Sequence, residues 1–486
     1  MNNKMITKFL DYFYGSFFSL IIGVFTTPII TRLYQPEEYA KYSMFNLMCQ
    51  LAIIIIVFGL DQSFIRNYYE IKIKERIPFL FQCMKYSLII FLIQFLGFYF
   101  YKEAITNYFM SEYSLTLVVI VVINTFLLAV NRFLMTYIRM MQIGKMYSLI
   151  QLGQKISYLI LLMIVFKLNF LDYRALIVAT TFSSLVVFLI SSIVIFSKKK
   201  SNEISTNETV KSKTIIKKSD ILKYSYPFVF SVSLNWLFQS IDRLAIKEYS
   251  TLKELGYYAA AFSIIRIIVV IKDSFVMFWT PIVLEKYKDK EKAKDFFIQS
   301  NQFISYLFLM IGTGVILLNY FIISLLGPEY KYAVVCIPFL VFMPIMYSIS
   351  ETTVIGINLT KRTNWHVLIS VVCCFVNAVG NLILVPNLGA VGASIATAIS
   401  YIFFFSIRTY ISYKLYKVEF KIAKIFGSVL ILFAYAFLVY QNINGIIHYI
   451  FGMLSIVMIS LLYRSSIIFL ISNLNQIFSK KQKMSA

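Results

Sequence analysis

Charge is scarce in this 486-residue chain. Only 14% of its residues are Asp, Glu, Lys or Arg, where a soluble domain carries about a quarter. With 59% hydrophobic residues and a mean hydropathy of +0.76, that excludes a soluble globule and identifies a membrane protein. Acid is scarcer than base, 23 Asp+Glu against 46 Lys+Arg, for a net charge of +23. In a soluble chain such a surplus suggests nucleic acid; here loop charge accounts for it, and no nucleic-acid partner is expected. The five cysteines, Cys49, Cys83, Cys336, Cys373 and Cys374, all fall in apolar runs without a C-x-x-C pair. This excludes a disulfide framework and a zinc site, and they read as small core hydrophobes. His366 and His448, the two histidines, have no second ligand at metal spacing. No G-x-x-x-x-G-K-[ST] loop occurs, so no ATPase is built in. Tryptophan is rare, three residues against 46 Phe and 35 Tyr. Most of this aromatic excess fits lipid-facing and interfacial positions, and some tyrosines suit sugar stacking.

What the chain has is long apolar runs. A span needs about 20 mainly apolar residues, and fourteen stretches qualify: 9–31, 40–62, 79–101, 113–135, 146–167, 173–197, 221–246, 254–279, 296–320, 332–357, 364–386, 390–413, 422–441 and 446–470. The first follows Lys4 and Lys8 and runs on to Ile30 with no small-residue cleavage site, so it reads as a transmembrane helix and not as a removed signal peptide. Lys and Arg in the alternate connections number thirty on the side of the N-terminus and eight on the other. The excess places both termini in the cytoplasm of a multi-pass inner-membrane protein. PNLGAVGAS (386–394) reads as a tight outer turn whose small residues let two helices approach closely.

Six spans precede the polar segment SKKKSNEISTNETVKSKTIIKKSD (197–220), so a seventh starts on the same side as the first. A duplication is then a parallel repeat with its axis along the membrane normal. Span one ends in ITRLYQPEEYAKYSMF and span seven in IDRLAIKEYSTLKELGYYAAAF. I-T-R-L at 30–33 matches I-D-R-L at 241–244, and each is followed by acids and a Tyr-rich helix start (Tyr39 and Tyr42; Tyr257 and Tyr258). The expected organisation is an N-lobe at 1–197, a cytoplasmic linker at 198–220, a C-lobe at 221–413, and two further helices with a cytoplasmic tail at 414–486. The fold class is an all-α polytopic membrane protein of 14 transmembrane helices, two six-helix bundles related by a pseudo-two-fold plus two C-terminal helices.

This layout, with GSFFSLIIGVFTTPIITRLYQPEEYAKYSMFN at the start, GLDQSFIRNYYE at the end of span two and DRLAIKEYSTLKELGYYAAAFSIIR around spans seven and eight, resembles the polysaccharide flippases. These form the Wzx or PST type of the multidrug/oligosaccharidyl-lipid/polysaccharide exporter superfamily. The resemblance covers essentially the whole chain and is specific to the family, not to a substrate. It implies two bundles flanking a central cavity and alternating access. It also implies an undecaprenyl-diphosphate-linked oligosaccharide, an O-antigen or capsule repeat unit, carried from the cytoplasmic to the outer leaflet. Membrane lipids and the polysaccharide polymerase machinery are the implied partners. No cofactor is expected beyond a coupling ion, H+ or Na+.

Thirteen charges lie inside the expected spans: Lys85, Arg132, Lys155, Arg243, Arg266, Lys272, Arg408 and Arg464, with Asp11, Asp61, Asp242, Asp273 and Glu351. A charge at the bilayer centre costs about 2.5–3.5 kcal/mol on insertion scales, so each needs water, a partner or a route to the interface. Arg266, roughly 18 Å down span eight at ~1.5 Å per residue, is too deep to snorkel. It is either a clamp on a diphosphate, which a guanidinium fork matches, or half of a buried ion pair. Lys155 is a phosphate or sugar contact or the partner of an acid. Asp61 and Arg66 either face an arriving diphosphate or cap the interface. Asp273 and Glu351 either carry a coupling proton or neutralise Lys272 and the arginines. At the outer ends Arg32 and Arg243 are expected to face one another as a gate or release site, with Asp242 as a latch to Arg32; a snorkelling interfacial pair is the plainer reading of Asp242 and Arg243. A cation-coupled drug antiporter of the same superfamily would favour an acidic cavity. A membrane polymerase would need a large outer loop or a carboxylate cluster. Neither is present, so a transporter and not an enzyme is expected.

Overall fold

The computed structural model describes residues 18–19, 21–23, 25–168, 172–202, 218–286, 293–360, 362, 364–441 and 445–468. All the regular structure among them is helical. The chain forms two compact units, Met1–Ser240 and Ile241–Ala486.

In the first unit a short apolar helix, Ile21–Leu33 (α1), precedes Pro36–Val57 (α2), Leu60–Asn67 (α3), Ile73–Phe100 (α4), Lys102–Met110 (α5), Leu115–Met140 (α6), Gly144–Lys167 (α7) and Tyr173–Asn202 (α8). Helix Lys218–Tyr249 (α9) crosses the boundary between the units. The second unit continues with Leu252–Lys286 (α10), Ala293–Leu317 (α11), Asn319–Ser324 (α12) and a 3-10 turn at Pro328–Val335. After that come Ile337–Leu340 (α13), Phe342–Thr353 (α14), Ile355–Leu359 (α15), Asn364–Leu415 (α16), Ile422–Tyr440 (α17) and Gly445–Leu462 (α18).

Among the described residues nine helices are long and apolar enough to cross a membrane, and one pair bent by 48° at residue 336 makes a tenth. The sequence led us to expect fourteen, and the differences have physical causes. Residues 9–17 of the stretch 9–31, with Asp11, lie outside the described residues. The stretches 221–246 and 254–279 fall in α9 and α10, which have ample length but are not among the nine. The stretches 364–386 and 390–413 share α16, counted once although Gly389, at φ 54° and ψ −131°, breaks it. The chain reverses there: Gly392 lies against the Leu384 carbonyl and Gly380 against Ala396, pairs that a straight helix would hold more than 10 Å apart. A Cβ at Gly392 would collide with the opposite backbone.

The 40–62 stretch also breaks. Phe58 and Gly59 are both left-handed, at φ 50° and 68°, ending α2 and starting α3 in a new direction. Phe58 pays for this as a bulky residue in a conformation that favours glycine. A Cβ at Gly59 would strike the Ser225 carbonyl of α9. An aromatic cluster of Phe64, Tyr68, Phe79 and Tyr137 then fixes α3 against α4 and α6.

The two units repeat a set of hydrogen bonds. In the first, the Glu38 carboxylate accepts the backbone N–H of Tyr173, at the start of α8, at 2.8 Å, and the hydroxyls of Tyr42 and Thr180 meet at 2.9 Å. In the second, the Glu254 carboxylate accepts the N–H of Ala390, where the second arm of α16 starts, at 3.0 Å. Tyr258 and Thr397 again come together, each donating at 2.7 Å to one oxygen of Asp242. Each tyrosine follows its glutamate by four positions and each threonine follows the capped amide by seven. An acid at a helix N-terminus is favoured by the free N–H groups and the helix dipole, so each acid ties the start of a distant helix to its own. The resemblance between I-T-R-L and I-D-R-L thus extends into the tertiary contacts.

Candidate functional site

Under that alignment the residue equivalent to Asp242 is Thr31. Asp242 is 2% exposed. Its Oδ2 accepts from Tyr258 and Thr397, and its Oδ1 accepts from the Asn381 amide at 2.8 Å. Asn381 also reaches the Asn377 carbonyl and side-chain oxygen, both at 2.9 Å. No lysine or arginine forms an ion pair with Asp242 among the described residues. A buried carboxylate without a countercharge costs several kcal/mol unless a proton or a cation neutralises it. Around it, Asn377 Nδ2 and Asn381 Oδ1 are buried with no hydrogen bond. Thr31, by contrast, is neutral and bonds back to the Thr27 and Pro28 carbonyls of its own helix.

Arg243, beside Asp242, turns to another face: its guanidinium lies 4.8 Å from the centroid of the Phe262 ring, a cation–π contact. Adjacent helical residues point about 100° apart, so the acid enters the packed interior of its unit while the base stays half-exposed.

A second charged group in the same unit is closed on itself. Glu351 Oε1 accepts from Arg408 Nη1 at 2.8 Å, which also donates to Ser350 Oγ at 2.8 Å. The side chains are 9% and 7% exposed. The guanidinium is flanked by the rings of Phe404 and Tyr347, with centroids 5.1 and 5.6 Å away. Lys272 approaches the Tyr347 ring to 4.3 Å and pairs with Asp273 at 2.8 Å. Glu351 and Asp273, considered as proton carriers, are thus both engaged by a neighbouring base. Arg266, halfway along α10, is exposed and forms neither an ion pair nor a hydrogen bond among the described residues.

In the first unit Asp61 pairs with Arg132 on α6, Oδ2 to Nε at 2.9 Å, and the side chains differ sharply in exposure, 4% for the acid and 57% for the base. Gln62 donates to both Asp61 oxygens at 3.0 Å. Arg66 instead forms a solvent-exposed pair with Glu70 at 3.4 Å. Lys155 on α7 and Arg32 at the end of α1 are both exposed.

The structure therefore brings Asp242 together with Tyr258, Asn377, Asn381 and Thr397, of which the sequence had marked only Asp242 as a site and Tyr258 as part of the repeat. The signal for the amides was present as N-x-x-x-N inside the apolar run CCFVNAVGNLILV. Four residues apart, Asn377 and Asn381 share one helix face. Arg132 was visible as an in-span base, but its partner lies 71 positions away. Among the described residues no three His, Cys, Asp or Glu side chains form a cluster that could hold a metal ion.

The family described as polysaccharide biosynthesis protein matches residues 8–285. No curated protein sequence matches the chain. Among solved structures, an inward closed conformation of the lipid II flippase MurJ superposes with a TM-score of 0.70 at 17% identity, over 94% of this chain and 99% of that one. An inward-facing multidrug resistance MATE transporter of the MOP superfamily superposes with a TM-score of 0.62 at 11% identity, over 81% of this chain and 94% of that one. The chain shares its fold with these two structures.

Proposed function

Since the chain belongs to the polysaccharide biosynthesis protein family, we propose that it is a flippase for surface polysaccharide assembly. Its substrate is an undecaprenyl-diphosphate-linked oligosaccharide repeat unit of O-antigen or capsule type, moved from the inner to the outer leaflet of the cytoplasmic membrane by alternating access. Both termini lie in the cytoplasm, and the polymerase machinery takes up the product. The observation that carries this reading is the state of Arg266: a guanidinium in mid-helix, exposed and without a partner among the described residues. Hydrocarbon does not tolerate such a group, so it faces water and attracts an anion. Bidentate pairing with phosphate is what the guanidinium geometry favours. Arg32, Arg243, Lys155 and Arg66 add positive charge for the diphosphate and sugar path, and a fold relative named for lipid II supports a lipid-linked substrate.

Asp242 is the group we assign to ion coupling, with H+ or Na+ as the ion. Its carboxylate is sealed and lacks a base, and only neutral donors surround it. A cation-coupled antiporter of small molecules is a second reading favoured by that same acid and by the MATE-like fold; the exposed bases weigh against it. The deciding experiment reconstitutes the protein in vesicles loaded on one leaflet with fluorescent undecaprenyl-diphosphate oligosaccharide and follows its accessibility from the other. Wild type is expected to flip it and Arg266→Ala to insert normally without flipping. Wild-type rates in Arg266→Ala would remove the clamp, and drug efflux without lipid flipping would favour the antiporter.

A further inference from the structure

We propose that Arg132 is a second diphosphate contact, held in place by Asp61; this rests on the flippase reading above and adds to it a residue in the first unit. The pair is asymmetric. Two charges that exist to hold helices together are both sealed, as Glu351 and Arg408 are. In Asp61 and Arg132 the acid is buried and the base is 57% exposed. The acid is fixed by the backbone N–H and the side-chain amide of Gln62, so its position does not depend on the arginine. The arginine's position depends on the acid.

Only Nε of Arg132 is engaged. The edge formed by its two terminal amino groups carries no hydrogen bond among the described residues, and four N–H donors stay available there. Arg132 lies eight residues before the end of α6, about 12 Å along the helix. An untethered arginine at that depth could bend toward the headgroups. The bond from Nε to a buried carboxylate prevents this and holds the fork at a constant height. A charged fork that is fixed, open and inside a span needs an anionic partner, and phosphate oxygens match its geometry. Asp61 then acts as a positioning residue.

The test uses the full chain in lipid nanodiscs with geranylgeranyl diphosphate as probe and geranylgeraniol as its uncharged control. Wild type is expected to bind the diphosphate and discriminate against the alcohol. Loss of one charge-assisted contact should weaken diphosphate binding by about tenfold or more in Arg132→Ala, with alcohol binding unchanged, and the same loss is expected in the double change Asp61→Asn with Arg132→Ala, which leaves no buried carboxylate unpaired. Asp61→Asn should lose part of the diphosphate affinity, and Arg132→Lys should not restore it, because a lysine reaches Asp61 and the phosphate only one at a time. Wild-type affinity in Arg132→Ala would overturn the proposal. So would an equal dependence of phosphatidylglycerol binding on Arg132, which a general lipid contact explains. Arg132-dependent binding without oligosaccharide flipping would instead overturn the flippase reading and leave this contact standing. Flipping with Arg132-independent binding would do the reverse.

Discussion

The two units share one plan and differ in what they bury. Each uses a glutamate to cap a distant helix and brings a tyrosine and a threonine together behind it. At the junction the first unit has the neutral Thr31 and the second has Asp242. Two ion pairs differ as well: Glu351–Arg408 in the second unit is sealed, and Asp61–Arg132 in the first is open on its basic side. The duplicated scaffold thus carries an uncompensated acid in one copy only, while accessible bases occur in both, Arg132 in the first and Arg266 in the second. The capping geometry belongs to the fold and is kept in both. The charges belong to the task and are not.

This contrast can be broken experimentally. The largest effect is expected from Asp242→Asn, which keeps the size of the side chain but removes the titratable charge; transport in vesicles should lose its dependence on the proton or sodium gradient. Unchanged gradient dependence would mean the acid is structural, like its Thr31 counterpart. Next is Arg408→Ala, which strands Glu351 in the interior and should cost about 3–5 kcal/mol, read as a fall in thermal unfolding temperature in detergent. The double change Glu351→Gln with Arg408→Met should recover most of it.

Asp61→Asn should cost only about 1 kcal/mol of stability, since the arginine left behind is already exposed. A loss as large as that of Arg408→Ala would show that the two pairs do the same job. The smallest effects are those of Glu38→Gln and Glu254→Gln, about 0.5–1 kcal/mol each and equal within error, because both remove a charge from a helix N-terminus. Unequal losses would weaken the equivalence of the two caps.

Much of the fold was legible because the bilayer imposes length and apolarity on every crossing segment. The runs at 79–101 and 422–441 lie within or nearly coincide with α4 and α17 for that reason. The break at Phe58 and Gly59 was not, because it follows from packing against Ser225, far along the chain. For the site, depth along a helix could be counted, so Arg266 stood out; which way a side chain turns could not. Asp242 and Arg243 look alike in QSIDRLAI, yet one ends in a sealed amide and hydroxyl shell and the other against a ring.

By itself the sequence determined the membrane class, the charge bias of the connections and the doubled plan carried by I-T-R-L and I-D-R-L. These are properties of composition and spacing, and no partner residue has to be known to read them. The tertiary structure decided which of the buried charges are neutralised. Whether a carboxylate meets Arg408, Arg132 or only neutral donors depends on helices brought together from positions 57, 71 and 139 residues apart, and that geometry sets whether its charge holds the fold or remains for function.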